Sequence, residues 1–298
     1  MFRFQHILVP LDGSELAERA LQPALAIAKA MSARLVLFRV VPQLTLLAAD
    51  PQLYEEMGRM SAEETGTYLH AVRAALPPTD VRVETVSELG APADAIVNYA
   101  AAHGVDLIVM SSHGHTGVRR WIHGSVAERV LHEAPCATII ICAANTVDFL
   151  QYKRLMVPLD GSALAEQALA PASALAEALC TELYLLRVTS PAHVPLETMA
   201  MQQVFNEIEH QERNEAERYL QQQYQKLPNK HLFFDVLVAR RSVADTIIDY
   251  VQSRQIDLIV MSTHGRTGLD RVMFGSVTEK VLRGACCATL VIRRPASD

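Results

Sequence analysis

The sequence predicts an α/β fold of parallel, doubly wound sheets, and three observations predict it. Ile7-Leu-Val-Pro-Leu-Asp-Gly-Ser14 returns 148 positions later as Leu155-Met-Val-Pro-Leu-Asp-Gly-Ser162. Asp106–Ile141 returns 151 positions later as Asp257–Ile292, with 22 of the 36 positions identical on direct comparison. Within each copy, short apolar runs alternate with helix-like segments, the pattern of strands buried on both faces and joined by helical crossovers. The chain of 298 residues therefore reads as one domain of about 150 residues written twice, a common size for a single core. The expected domains are 1–146 and 150–298.

Taken in order, Phe4–Pro10 is the first strand, apolar with β-branched members. Asp12-Gly-Ser-Glu15 follows as a polar turn whose carboxylate reads as a helix-start signal. The helix over about Glu15–Met31 contains Pro23, and its counterpart contains Pro171. An interior proline costs a helix roughly 3 kcal/mol, so an irregularity is expected in both copies. Arg34–Val41 and Glu182–Thr189 are second strands. Polar-rich helices over about Pro51–Leu76 and Glu197–Leu227 differ most between the copies. Third strands (Val81–Val86; Leu232–Val238) and helices (Pro92–Ala102; Ser242–Arg254) follow. Fourth strands (Leu107–Ser111; Leu258–Ser262) lead through glycine-bearing loops to helices from about Ser125 and Ser276, and a last strand closes each copy.

Half the residues are apolar, 20% are charged and the net charge is −6. That balance argues against a nucleic-acid binder, which needs a basic face to release phosphate counterions. No apolar stretch approaches the roughly 20 residues of a membrane span. The opening Met1-Phe-Arg-Phe-Gln-His has no signal-peptide layout. Five cysteines form no C-x-x-C pair, and the odd count suits a reducing compartment, so a cytoplasmic protein is expected.

In doubly wound sheets, ligands bind beyond the carboxyl ends of the strands where the strand order reverses. Two closely repeated segments fall at such ends: Pro10-Leu-Asp12-Gly13-Ser14, and Ser111-Ser-His-Gly114 through Gly124-Ser125. If strands one and four are neighbours, these segments face each other across a crevice. The second suits a phosphate, because Gly114, Gly117 and Gly124 allow close approach of the backbone and Ser125 opens a helix. Asp12, an acceptor, suits a ribose hydroxyl or an amino group instead. Gly13, Gly114, Gly117 and Gly124, with Gly161, Gly265, Gly268 and Gly275, are eight of only 13 glycines in the chain. Scarcity elsewhere makes their concentration at these two lips a ligand signal.

These residues resemble the universal stress protein family, whose pattern is G-x2-G-x9-G-[S/T] after the fourth strand with an aspartate after the first. Copy one matches with Gly114, nine residues, then Gly124-Ser125, and copy two with Gly265, nine residues, then Gly275-Ser276. The resemblance spans essentially the whole chain and marks it as a tandem member. It implies two tandem five-stranded parallel sheets of strand order 3-2-1-4-5 with helices on both faces. It also implies binding of ATP, alone or with Mg²⁺. By position, Asp12, Val40, Asp160 and Val188 would hold the adenosine end. Gly114, Gly124, Ser125, Val126, Gly265, Gly275, Ser276 and Val277 would hold the phosphates. Arg266, directly after Gly265, can pair with a phosphate. Ser111 and Ser262 stand where the pattern has its first glycine, at a cost of roughly 1–2 kcal/mol if φ there is positive. Single-domain relatives commonly dimerise through their last strands. The implied partner arrangement is thus an intramolecular pseudo-dimer through Ala137–Cys142 and Ala288–Ile292, with a homodimer as a further option.

Other readings of the same residues are weaker. His113, His115 and His123 cluster in sequence, but copy two keeps only His264, so solvated loop histidines are favoured over a metal site. A Ser125–His113–Asp12 hydrolase lacks the G-x-S-x-G elbow. Cys286 and Cys287 read as packed thiols, and Met57, Met60, Met199 and Met201 as core or interface. The Gln202–Gln225 run reads as a solvated helix face. With no general base or Mg²⁺-binding carboxylate pair beside the loop, the expectation is an ATP-binding regulatory protein with at most slow hydrolysis. The alternative is a stress-signalling scaffold of the same fold that binds no nucleotide.

Overall fold

The computed structural model describes residues 2–42, 51–112, 125–142, 152–190, 199–239, 241–263 and 274–293. The chain divides into two compact units between Gln151 and Tyr152.

The first unit runs β1 (His6–Pro10), α1 (Glu15–Glu18), α2 (Leu21–Met31), β2 (Arg34–Pro42), α3 (Pro51–Ala75), β3 (Val83–Gly90), α4 (Pro92–Ala102), β4 (Leu107–Ser111), α5 (Ser125–Glu133) and β5 (Ala137–Ile141). Its strands pair in parallel in the order β3-β2-β1-β4-β5. The second unit repeats the plan: β6 (Arg154–Leu159), α6 (Ala163–Glu166), α7 (Leu169–Leu179), β7 (Glu182–Thr189), α8 (Met199–Lys226), β8 (Leu232–Val238), α9 (Val243–Arg254), β9 (Leu258–Ser262), α10 (Ser276–Gly284) and β10 (Ala288–Ile292). Its order is β8-β7-β6-β9-β10, again all parallel. Counted within each half, both orders are 3-2-1-4-5, as the resemblance implies.

Helices cover both faces. In the second half Met156, Leu186, Ile259 and Met261 cluster with Ala244, Ile247, Tyr250 and Val251 of α9 and Val281 of α10. The alternate residues Leu155, Val157, Leu183, Leu185 and Leu258 are also fully buried. Strand alternation turns them to the other face, where α7 and α8 lie against β6, β7 and β8.

The irregularity expected from the prolines is a complete break. α1 stops at Glu18, α2 starts at Leu21, and Pro23 is its third residue. The proline ring clashes with the carbonyl four residues earlier, which is Arg19, inside the gap. Pro171 places the same break at Gln167, between α6 and α7. The third strand of the first half begins and ends later than expected, running to Gly90. Its polar residues Ser87 and Glu88 pair with Arg39 and Val40 along an edge strand whose side chains alternate between half-buried and exposed. Cys287 is buried as expected, whereas Cys286 is exposed. Met60 and Met201 are exposed and so are not core. Among the described residues, no helix is long and apolar enough to cross a membrane.

Candidate functional site

Each half begins its site with the same turn. Gly13 and Gly161 have φ of +87° and +83°, a conformation that suits glycine. The Asp12 carboxylate Oδ1 accepts from the Ser14 N–H at 2.9 Å and from the Ser14 hydroxyl at 2.6 Å. Ser14 Oγ in turn accepts from the Ala17 N–H at 3.1 Å. Asp160, Ser162 and Ala165 repeat these three distances. The helix cap is therefore the serine, not the aspartate. The aspartate orients the serine from behind while its carboxylate stays at the strand end.

The second lip is brought alongside by strand order. β1 pairs directly with β4, and β6 with β9, so in each half the turn after the first strand lies beside the carboxyl end of the fourth, where a crevice is expected. In the second half that crevice is a pocket of about 240 Å³, with Asp160, Val188, Gly275, Ser276 and Val277 in its lining. Five residues singled out in the sequence thus meet at one place. Leu186, Val243, Ile247 and Met261 add an apolar wall. None of these four stands out in the sequence, although Leu186 lies two residues before Val188 on β7, and Val243 and Ile247 lie four residues apart on α9.

Ser111 and Ser262 are the last residues of β4 and β9, paired in register with Ile141 and Ile292. Neither has positive φ, so the strain that a serine would suffer in place of glycine does not arise. Gly275 caps α10 with φ −58°, and its N–H donates to the Thr263 carbonyl at 2.9 Å. The first intrahelical bond is from the Glu279 N–H to the Gly275 carbonyl at 3.0 Å. The N–H groups of Ser276, Val277 and Thr278 consequently have no protein acceptor among the described residues, and they point out of the positive end of the helix. The Thr278 hydroxyl donates to the Ser262 carbonyl at 3.1 Å, which ties this helix start to the end of β9.

In the first half Asp12 follows β1, Val40 lies on β2, and Ser125 and Val126 open α5. Gly114, Gly124, Gly265 and Arg266 lie outside the described residues, as do His113, His115, His123 and His264. Beneath each turn a tyrosine of the long helix, Tyr68 or Tyr219, keeps its proton far above the ordinary range. Burial is the main cause, followed by a hydrogen bond to Glu18 or Glu166; the charge of Asp12 or Asp160 adds to it.

A family profile described as the universal stress protein family matches residues 3–141 and again 151–293. The chain belongs to the universal stress protein family. A universal stress protein of Methanocaldococcus jannaschii is 28% identical over 148 residues, covering 49% of this chain and 85% of that relative. The universal stress protein YxiE of Bacillus subtilis is 30% identical over 146 residues, 46% of this chain and 99% of its own. Both matches have the length of one domain, whereas this universal stress protein carries two. The crystal structure of a universal stress protein from Archaeoglobus fulgidus covers 98% of this chain and 100% of its own at a TM-score of 0.69 and 21% identity, a likeness of fold.

Proposed function

We propose that this universal stress protein binds an adenine nucleotide, ATP alone or with Mg²⁺, and acts as a cytoplasmic regulatory protein with at most slow hydrolysis. One observation carries the reading: a carboxylate, an apolar wall and a helix N-terminus without a side-chain cap line one pocket. Leu186, Val188 and Ile247 offer the flat apolar surface a purine needs, and Asp160 offers an acceptor for a ribose hydroxyl. The N–H groups of Ser276, Val277 and Thr278 can receive phosphate oxygens without a formal positive charge. Hydrogen bonds to charged groups contribute about 1.5–3 kcal/mol each, so a few such donors support micromolar binding. By position, Asp12, Val40, Ser125 and Val126, with Gly114 and Gly124, would do the same in the first half. Gly265 and Arg266 would complete the second phosphate loop. Asp160 is the one carboxylate in the lining of the described pocket. A lone carboxylate supports binding better than metal-assisted hydrolysis.

A thermal-shift titration with Mg-ATP tests the reading. Ligand at 100 times Kd adds about 2.7 kcal/mol, or roughly 5–10 °C for domains of this size. No shift at millimolar ATP, with no nucleotide co-purifying, would instead support the scaffold of the same fold. We also propose domains of 1–146 and 150–298, whose last strands, Ala137–Cys142 and Ala288–Ile292, pair within one chain. Cysteine pairs placed across these strands should then cross-link inside a monomer, and cross-linking only between chains would refute that arrangement.

A further inference from the structure

Each half carries the same three-residue contact under its aspartate turn. In the first half the Arg39 guanidinium lies 4.5 Å from the centre of the Tyr68 ring, and the Tyr68 hydroxyl donates to Glu18 Oε1 at 2.8 Å. A Cβ placed on Gly13 would stand 3.3 Å from Arg39 Nη2, so the guanidinium rests against the turn itself. In the second half Arg187 Nη1 donates to the carbonyl of Leu159, the residue before Asp160, at 3.2 Å. The same guanidinium lies 5.8 Å from the Tyr219 ring centre. The Tyr219 hydroxyl donates to Glu166 Oε1 at 3.0 Å, and Gln223 Nε2 donates to the same oxygen at 2.9 Å.

The recurrence joins elements that have drifted to different degrees. Tyr68 and Tyr219 lie on α3 and α8, which differ in length (25 and 28 residues) and in most of their residues. Yet a tyrosine returns at the offset of the glycine loop, and an arginine and a glutamate return at the offset of the aspartate turn. Arg39 and Arg187 immediately precede Val40 and Val188, so strand alternation sends them to the opposite face of the sheet. They support the turn from behind and do not line the pocket. Glu18 and Glu166 end the four-residue helices that Ser14 and Ser162 begin. The arginine thus holds one end of the Asp-Gly-Ser-helix unit and the tyrosine the other, with the aspartate–serine hydrogen bonds between. Half-buried polar contacts of this kind add little net stability, whereas their directional geometry holds orientation closely.

We propose that Arg39–Tyr68–Glu18 and Arg187–Tyr219–Glu166 are positioning units that aim the carboxylates of Asp12 and Asp160 at the ribose hydroxyls of a bound nucleotide. The inference rests on the nucleotide reading above. Calorimetric titration of the full chain with ATP and with 2′,3′-dideoxyATP tests it in paired variants of both halves. Wild type should prefer ATP by about tenfold, since the dideoxy sugar leaves the acceptor without its donor. Tyr68→Phe with Tyr219→Phe, and Arg39→Met with Arg187→Met, should weaken ATP about five- to tenfold and leave the dideoxy analogue within about twofold, erasing the preference. Asp12→Ala with Asp160→Ala should erase it in the same way. Arg39→Lys with Arg187→Lys should restore part of it, and serves if the methionine variants do not melt cooperatively. A folded tyrosine or arginine variant that keeps the preference overturns the proposal. So does one that weakens both nucleotides equally, which is the signature of a purely structural brace. If wild type binds neither nucleotide, the nucleotide reading fails and the proposal falls with it. If wild type prefers ATP but the aspartate pair does not set that preference, nucleotide binding survives and the positioning role does not.

Discussion

Gly161 and Gly13 occupy the one kind of backbone position in this site where the absence of a side chain is decisive. A Cβ at positive φ costs roughly 1–2 kcal/mol, and at Gly13 it would also press on Arg39 at 3.3 Å. Gly13→Ala and Gly161→Ala should each lower unfolding free energy by about that amount, measured by urea denaturation. His6 makes a second residue-scale prediction, at the opposite end of β1. It is buried, and its Nδ1 lies 2.7 Å from Arg34 Nη2. The same nitrogen lies 3.0 Å from the His103 carbonyl oxygen, so its donor or acceptor role follows the tautomer, while the Arg34 charge disfavours a second positive charge on the ring. Burial, then Arg34, lowers the His6 pKa below its ordinary 6.5. With the folded value depressed, the unfolded chain takes up the proton first as pH falls. The stabilising contribution of neutral His6 is complete above pH 6.5 and is lost as pH falls through that value towards the lower folded one. His6→Gln should therefore lose less stability than wild type between pH 7.5 and about 5.5, followed by denaturation at each pH. An equal loss would remove His6 from the account. The aspartate turn was readable because its residues are adjacent and repeated. The Arg39–Tyr68–Glu18 contact was not, because its members come from three elements and return at two different offsets.

At the scale of elements, the repeated prolines marked the helix breaks, and the steric rule also accounts for their position four residues upstream. Pro23 sits in the first turn of α2, where the missing N–H costs no helical hydrogen bond. Pro23→Ala should change stability by less than about 1 kcal/mol, mostly through the entropy of the unfolded chain. Ala28→Pro, one turn further in, should cost about 3 kcal/mol or more, and thermal melts would separate the two. If Pro23→Ala proved equally damaging, the proline would be packing as well as breaking. The late end of β3 escaped the sequence because an edge strand has one partner only, so its polar residues carry no strand-like pattern. The run Gln202–Gln225 was read as a solvated face and most of it is exposed. Ala216, Leu220 and Gln223 are the exceptions, with Gln223 buried against Glu166.

For the molecule as a whole, duplication is the dominant fact, and it was visible without coordinates because identical segments recur at nearly constant spacing. Alternation of buried strands and helices then fixed the doubly wound architecture in each half, since buried parallel strands must be covered on both faces. An aspartate turn, glycines and a serine opening a helix are local signals, legible in consecutive residues. The sequence was silent on which distant residues complete the pocket. Leu186, Val243, Ile247 and Met261 are ordinary core residues until strand order brings β7, α9 and β9 around Asp160. It also could not show whether Ser111 and Ser262 were strained, since serine tolerates the extended strand but not positive φ, and backbone pairing chooses between them. Local patterns are written in consecutive residues and survive in the chain. The contacts of the site span about a hundred residues, and only the folded backbone brings them within reach of one another.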